Sequence, residues 1–465
     1  MKHLTPSVKW FEGYLSQAKV IQDELRCIGF RRRVKVLEEL GKAWVDRLES
    51  HSLEGLKTEL ARNTGYSRAM IENDLRFVAE VLKRENIEAL MNVGLLGGWG
   101  SLDDFVEVAP GEYVTNLPAG PVLIIASGNS VVPPLIPTVT SLATNNLTVL
   151  RPSLTNYKVI REVFKPLEDL AEAGGDGSVV GRALLITYLA HDSEVLEYLL
   201  KKAPVGVINY WGGEPGRTRV CRAVMENPYR PRLYVNGPLT GVAVVDGDSV
   251  DEEVSEALAR EVLMYDQQLC SSPTISFLIG DYDRAVELAK EVSNRLDVSG
   301  ALYKLEVSEG WMYGLTTLRK ALELHGAKVI RSRNYENPYT VVVSKGGSSF
   351  TGLRLIPLNI HSRRRFLEIV SVPDVKECVK IIRELPRIPG YVGIDGVQTV
   401  ALWAKDSQRR KEYVRELIKA GVYRVVPLGE SYVRTPFEPY DGEFMPRYFT
   451  YTTYLREERV SKGCS

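Results

Sequence analysis

The sequence predicts an α/β protein built on parallel sheets with crossover helices, and three observations shape that reading. From Leu117 onward, short apolar runs alternate with amphipathic helical stretches, the pattern of parallel strands joined by crossover helices. Before that point the chain reads as helix, with Leu25, Val34, Leu37, Leu40 and Trp44 at helical spacings. Two remote stretches, 105–114 and 446–454, alternate in the manner of strands, the first as a hairpin and the second as a lone terminal strand. The 465 residues suffice for two or three domains, and 59 basic residues balance 59 acidic ones. Neither nucleic acid nor a membrane is implied as a partner.

Taken in order, Asn63-Thr64-Gly65-Tyr66-Ser67 reads as a turn, and Ser67 caps a helix whose Met70, Ile71, Leu75, Val78, Val81 and Leu82 share a face. Gly94, Gly97, Gly98 and Gly100 end the helical part. Around Pro110-Gly111 the alternation on both sides predicts a hairpin. Strands follow at 122–126, 147–150, 183–187 and 205–209, with helices at 135–143 and 157–170 and a further helix capped by Asp192 or Ser193. No Gly-x-Gly-x-x-Gly follows any of these strands, so the ordinary dinucleotide fingerprint is absent. The second half continues with strands at 241–245, 275–279, 340–344, 398–404 and 423–427 and helices from Asp251, at 282–296 and at 408–420. The tail reads as a strand that needs a partner.

Three stretches carry groups suited to chemistry. Cys270, in Met264-Tyr265-Asp266-Gln267-Gln268-Leu269-Cys270-Ser271-Ser272-Pro273, sits where a helix gives way to a strand, among amides and hydroxyls. Such surroundings suit a reactive thiolate, and they equally suit one more small buried residue. The loops Ala126-Ser127-Gly128-Asn129-Ser130 and Asn209-Tyr210-Trp211-Gly212-Gly213-Glu214 lie at strand ends, where an open α/β sheet binds ligands; glycines there let backbone N–H groups approach an anion, and each loop also reads as an ordinary turn. The cysteines at 27, 221, 270, 378 and 464 and the five histidines show no paired spacing, so neither a disulfide framework nor a metal site is expected. No apolar run is long enough to span a membrane and Met1-Lys2-His3-Leu4-Thr5-Pro6 lacks a signal peptide's apolar segment, so the expectation is an intact cytoplasmic chain.

Leu117-Pro118-Ala119-Gly120-Pro121-Val122, then Asn129, then Val149-Leu150-Arg151-Pro152-Ser153, then Cys270 resembles the aldehyde dehydrogenase superfamily in residues and order. Ser127-Gly128-Asn129, Tyr210-Trp211-Gly212-Gly213 and the ten-residue cysteine stretch are similar to its fatty acyl-CoA reductase (LuxC) branch, from about residue 60 to near the C-terminus. The resemblance implies an aldehyde dehydrogenase-like α/β fold. Its expected parts are a helical N-terminal portion of the cofactor domain (1–103), a hairpin of an oligomerisation arm (104–116), an NAD(P)-binding domain (117–240), a catalytic domain (241–430) and an oligomerisation tail (431–465). It also implies NAD(P)H-dependent reduction of an acyl-CoA to an aldehyde, with coenzyme A as leaving group. Cys270 would be the nucleophile; the Asn129 side-chain NH2 and the Cys270 backbone N–H would stabilise the oxyanion.

Arg151 replaces the family's lysine, so it either faces a 2′-phosphate, which allows NADPH as well as NADH, or makes a structural salt bridge. Ser153 would hold the ribose or phosphate, Gly212 and Gly213 would lie near the pyrophosphate, and Glu368 is either the nicotinamide-ribose ligand or a solvated strand end. Tyr234 stands where the family's water-activating glutamate would be, and a neutral phenol is a poor base at pH 7. Arg363-Arg364-Arg365 could receive coenzyme A phosphates, although such runs are usually solvated faces. The arm predicts a homodimer or homotetramer, against the alternative of docking onto its own chain, and a partner protein could supply the acyl group. Two other functions stay open: a cysteine-dependent acyltransferase or thioesterase without hydride transfer, and a non-catalytic nucleotide-binding subunit.

Overall fold

The computed structural model describes residues 6–171, 174–354 and 356–457, and Cys464 lies outside them. The chain forms two compact units, one comprising the residues up to Leu56, Asn73–Asn236 and those from Thr435, the other Lys57–Glu72 and Gly237–Arg434. Segment 57–72, read from sequence as part of the helical prologue, thus belongs with the unit that carries Cys270.

In the first unit, β1 (Val106–Ala109) and β2 (Glu112–Pro118) form the expected hairpin. A five-stranded parallel sheet follows from β3 (Val122–Ile125), β4 (Thr148–Arg151), β5 (Leu184–Ile186), β6 (Val207–Trp211) and β7 (Arg232–Asn236), in the order β5-β4-β3-β6-β7. The chain lays down β4 and β5 on one side of β3, then crosses to β6 and β7 on the other, so the strand order reverses at the β3/β6 junction. That reversal opens a crevice at the C-terminal strand ends. All four residues of β3 are buried, in keeping with a run of Val, Leu and Ile covered on both faces. The helix Val132–Ala143 returns across this sheet, with prolines at its start and Pro137 inside it.

The second unit carries β8 (Leu239–Asp246), β9 (Pro273–Ile279), β10 (Lys328–Arg331), β11 (Thr340–Lys345), β12 (Phe366–Val372), β13 (Gly396–Trp403) and β14 (Arg424–Pro427), ordered β10-β11-β12-β9-β8-β13-β14. Only the edge strand β10 is antiparallel. One face packs Val254, Leu258, Val262, Leu288 and Val292 from two helices against Ala243, Val245 and Leu278; the other packs Leu315, Leu318, Val379 and Ile382 against Val244 and Phe277. Asp251 caps the helix Glu252–Leu263, as its sequence position suggested, by accepting from the N–H of Val254.

The tail forms β15 (Thr450–Arg456), which pairs antiparallel with β2 of its own chain and completes a three-stranded sheet β1-β2-β15. Arg232 anchors its start by donating to the Thr450 carbonyl at 2.7 Å.

Candidate active site

Ile125 stands opposite both Arg151 and Tyr210, so β3, β4 and β6 end level and their loops open together at the crevice. The loop after β3 is held from beneath by polar side chains. Asp74 accepts from Ser130 Oγ at 2.5 Å and from the Val131 N–H at 2.9 Å, and Asn156 Nδ2 donates to the Ser130 carbonyl at 2.5 Å. Ser127 Oγ donates to Asn129 Oδ1 at 3.0 Å, which fixes the acceptor and donor ends of the Asn129 amide. Gly128 packs so closely on the loop after β4 that a Cβ there would collide with Ser153 Oγ. Asn129, Arg151, Ser153, Gly212 and Gly213 therefore converge in one unit, as their order in the sequence suggested.

Arg151 is 3% exposed, its Nε donates to the Leu189 carbonyl at 2.9 Å, and its guanidinium lies 5.4 Å from the centroid of the Tyr188 ring. Burial lowers its pKa, with Tyr188 and Tyr210 opposing. Among the described residues no carboxylate pairs with it, which removes the structural salt bridge and leaves a buried cation chemically suited to an anion. Gly212 differs from its expectation. Its N–H donates to the Asn236 carbonyl at 3.2 Å, so that donor is already used, and a Cβ there would collide with the Tyr210 hydroxyl. Gly213 turns its carbonyl toward the Tyr210 hydroxyl at 3.2 Å. Glu214, one residue before the cap of the next helix, accepts from the Thr218 N–H at 3.2 Å and from Arg217 Nε at 2.9 Å. The crevice thus fits a dinucleotide through its glycine-lined edges, Ser153 and the Arg151 cation, without the donor role expected of Gly212.

Cys270 lies in a different setting. Tyr265, Asp266 and Gln267 all take left-handed backbone conformations, with φ of 51°, 49° and 59°. None is glycine, so the run costs roughly 1–2 kcal/mol per residue. Opposing interactions hold it. The Asp266 carboxylate meets Arg365 Nε at 2.7 Å with both side chains at 0% exposure. Gln267 accepts from the Phe366 N–H at 2.5 Å and donates to the carbonyls of Pro273 at 2.8 Å and Phe366 at 3.1 Å. Two turns follow, Gln268 N–H to the Tyr265 carbonyl and Ser272 N–H to the Leu269 carbonyl, and Cys270 sits inside the second, partly exposed. Gly241 on β8 lets this turn lie against the sheet, since a Cβ there would collide with the Ser271 carbonyl. By contrast Cys378 is buried and burial pushes its thiol well up, so it stays protonated.

Residues 30–449 match the sequence profile described as acyl-CoA reductase (LuxC). The chain belongs to that family. It is 21% identical over 418 residues to the long-chain acyl-protein thioester reductase of Vibrio harveyi, covering 88% of this chain and 79% of that one. Against the protein of the same name from Aliivibrio fischeri it is 21% identical over 433 residues, covering 90% and 80%. Among solved structures, aldehyde dehydrogenase 21 from Physcomitrella patens superposes with a TM-score of 0.73 at 12% identity, over 98% of this chain and 92% of that one. The glyceraldehyde-3-phosphate dehydrogenase GapN from Methanocaldococcus jannaschii gives 0.72 at 13% identity, over 98% and 95%. The fold is that of the aldehyde dehydrogenases, and this LuxC-family chain is an oxidoreductase of the acyl reductase type.

In this LuxC-family member the expectation for Tyr234 holds, while those for Glu368 and the arginine run change. Tyr234 is buried, stacks on Tyr448 with ring centroids 4.1 Å apart and donates its hydroxyl to the Tyr440 carbonyl at 2.7 Å. Burial holds that phenol well above its ordinary pKa, so it is no base. Glu368 is neither a solvated strand end nor a ribose ligand: it is 0% exposed in the middle of β12, and its carboxylate accepts from Ser344, Ser348, Ser349 and Tyr391 hydroxyls and from the Ser349 N–H. A carboxylate so enclosed has no surface to offer a ligand. Two of the three arginines of the run are likewise not solvated, with Arg364 partly exposed between them. Arg363 lies among the rings of Phe350, Tyr391 and Phe366 and donates to the Gly390 carbonyl, while Arg365 is the buried partner of Asp266. Asp74 and Asn156 give no signal in the sequence, because short polar residues within helices show no periodicity; Gln267 is legible there only as one of the amides around Cys270. Among the described residues no group of three metal-binding side chains gathers, and no helix is long and apolar enough to cross a membrane.

Proposed function

We propose that this chain reduces an acyl thioester to the aldehyde with NADPH or NADH, Cys270 carrying the acyl group between donor and reductant. The single observation that carries this reading is the turn at 268–272, which leaves one thiol partly exposed on a backbone fixed from both sides. The Cys270 thiolate attacks the thioester carbonyl, with the Cys270 N–H and, by the family resemblance, the Asn129 amide in the role of oxyanion donors, and the donor's thiolate departs with a proton from solvent. Arg151 and Ser153 would hold the nicotinamide cofactor, which supplies hydride to the acyl carbon. Collapse of the resulting thiohemiacetal releases aldehyde and restores the Cys270 thiolate. With Tyr234 where a water-activating glutamate would stand, hydrolysis of the acyl-enzyme lacks its usual base, which favours reduction.

The acyl donor we favour is a thioester on a partner protein. The Vibrio harveyi and Aliivibrio fischeri relatives are named for acyl-protein thioesters, and Arg363 and Arg365, candidates for the phosphates of coenzyme A, are engaged with the Gly390 carbonyl and with Asp266, Asn337 and the Tyr303 carbonyl. Acyl-CoA, with coenzyme A as leaving group, is the competing donor. The edge of β15, where Tyr451, Tyr454 and Leu455 are exposed, supports a homodimer or homotetramer, which light scattering reads directly. The chemistry is tested with NADPH and NADH carrying deuterium at the transferable position: deuterium in the product aldehyde supports the reductase, whereas free acid with no cofactor consumed would favour a thioesterase.

A further inference from the structure

We infer that Arg365 is a positioning residue for Cys270: it ties together two left-handed backbone segments at the neighbouring ends of β9 and β12 and thereby sets the rate of acyl transfer. The inference rests on the acyl-thioester reading above. Arg365 itself takes φ of 47°, so it is the fourth left-handed residue of the cluster with Tyr265, Asp266 and Gln267. Its guanidinium reaches three acceptors on three different segments: Asp266 Oδ1 at 2.7 Å, Asn337 Oδ1 at 2.6 Å and the Tyr303 carbonyl. Asn337 is fixed in turn by donating to the Leu296 carbonyl at 2.8 Å, beneath Gly300, where any Cβ would collide with its amide.

The fork is what the arrangement needs. A guanidinium satisfies three acceptors in one plane, and an ammonium on a flexible stem cannot meet all three at once. Next to it, Gln267 bonds the first residue of β12 through both its N–H and its carbonyl, and the first residue of β9 through its carbonyl. The Cys270 turn is joined to this locked segment through Gln268, whose N–H donates to the Tyr265 carbonyl at 2.9 Å and whose Nε2 donates to the Asp266 carbonyl at 3.4 Å. Gln268 Nε2 also donates to the Arg363 carbonyl at 3.2 Å, two residues before Arg365. If the lock opens, residues 265–267 relax toward ordinary backbone and the turn rotates with them. The thiol and the Cys270 N–H then move together, and a displacement of about 1 Å at reacting atoms costs on the order of a hundredfold in rate.

The test uses the full chain, with an acyl N-acetylcysteamine thioester as donor and Cys270 acylation followed by mass in single turnover. Arg365→Lys is compared with Arg319→Lys, a buried arginine on the helix Glu309–Leu324 of the same unit that donates to Thr340 and Tyr339 and, among the described residues, has no bond to the cysteine turn. The expected result is acylation slowed about a hundredfold at saturating donor in Arg365→Lys, half-saturation within about threefold of wild type, and Arg319→Lys at the wild-type rate. Gln267→Asn, which keeps an amide but shortens its reach, slows acylation in the same sense and decides the matter if Arg365→Lys does not fold. Wild-type rates in both Arg365→Lys and Gln267→Asn, or equal slowing in Arg319→Lys, would overturn the inference. If wild type accepts no acyl group, the functional reading fails instead; the rate of Cys270 alkylation by iodoacetamide then tests positioning alone, unequal rates between wild type and Arg365→Lys supporting it and equal rates overturning it.

Discussion

The loop that presents Asn129 and the turn that presents Cys270 are built by opposite means. Residues 126–131 contain no positive φ, and the loop is fixed by individual hydrogen bonds from Asp74, Asn156 and Ser127. Residues 265–267 adopt a conformation that costs roughly 3–6 kcal/mol in total and persists only because a buried ion pair and Gln267 oppose it. The first loop can lose one bond and keep its path. The second is over-determined, so it stays rigid until its lock fails and then changes as a whole. A donor can tolerate small adjustments in angle, whereas an attacking sulfur needs one approach, and the two constructions match those needs.

The largest expected effect comes from the sulfur itself. Cys270→Ser should reduce acylation by several orders of magnitude, while Cys378→Ser, which alters a buried thiol elsewhere in the same unit, should leave it unchanged in the same mass assay. Next, Asn129→Ala should lower the rate at saturating substrate on the order of a hundredfold or more with little change in KM, because the lost donor acts on charge that develops in the transition state. Asp74→Ala tests how the first loop is held: it leaves the Ser130 hydroxyl and the Val131 N–H without their acceptor and should cost about 1–3 kcal/mol per buried group in denaturant unfolding. Asp74→Asn, keeping one acceptor, should cost less. Tyr234→Phe should remove about 1 kcal/mol of stability and leave acylation unaffected; a large loss of rate would restore that phenol as a catalytic group.

The smallest effect is a pH dependence. Burial raises the pKa of Glu261, which accepts from the N–H groups of Gly429 and Ser431, above its unfolded value. Its contribution to stability is therefore complete below about pH 4.3 and is lost as pH rises through the folded-state value. Unfolding measured from about pH 4 to pH 8 should show Glu261→Gln gaining on wild type as pH increases.

The same comparison explains what the sequence could disclose. Strands such as β3, β4 and β8 are legible because their apolar runs are buried on both faces, whereas β7, only partly buried, is not, and the Asn129 loop is legible because glycine and asparagine mark tight turns. The lock on Cys270 is not. Left-handed residues are signalled by glycine, and here Tyr265, Asp266, Gln267 and Arg365 adopt that conformation with full side chains. Asp266 and Arg365 are 99 residues apart, and in a one-dimensional reading the arginine run looked like a solvated face. Glu368 misled for a related reason. A charged residue in a strand suggests an exposed end or a ligand, and its five hydrogen-bond donors become visible only when β11, β12 and the segment around Tyr391 are brought together. The pairing of β15 with β2, over more than 300 residues, is equally non-local.

The most direct test is a single-turnover mass measurement with palmitoyl-CoA, a palmitoylated carrier protein and the N-acetylcysteamine thioester as donors, first without cofactor and then with NADPH or NADH. The account predicts an acyl mass on the Cys270 peptide that persists without cofactor and leaves as aldehyde when either nucleotide is added. An adduct that clears to free acid with no nucleotide consumed, or no adduct on Cys270 from any of the three donors, would contradict it.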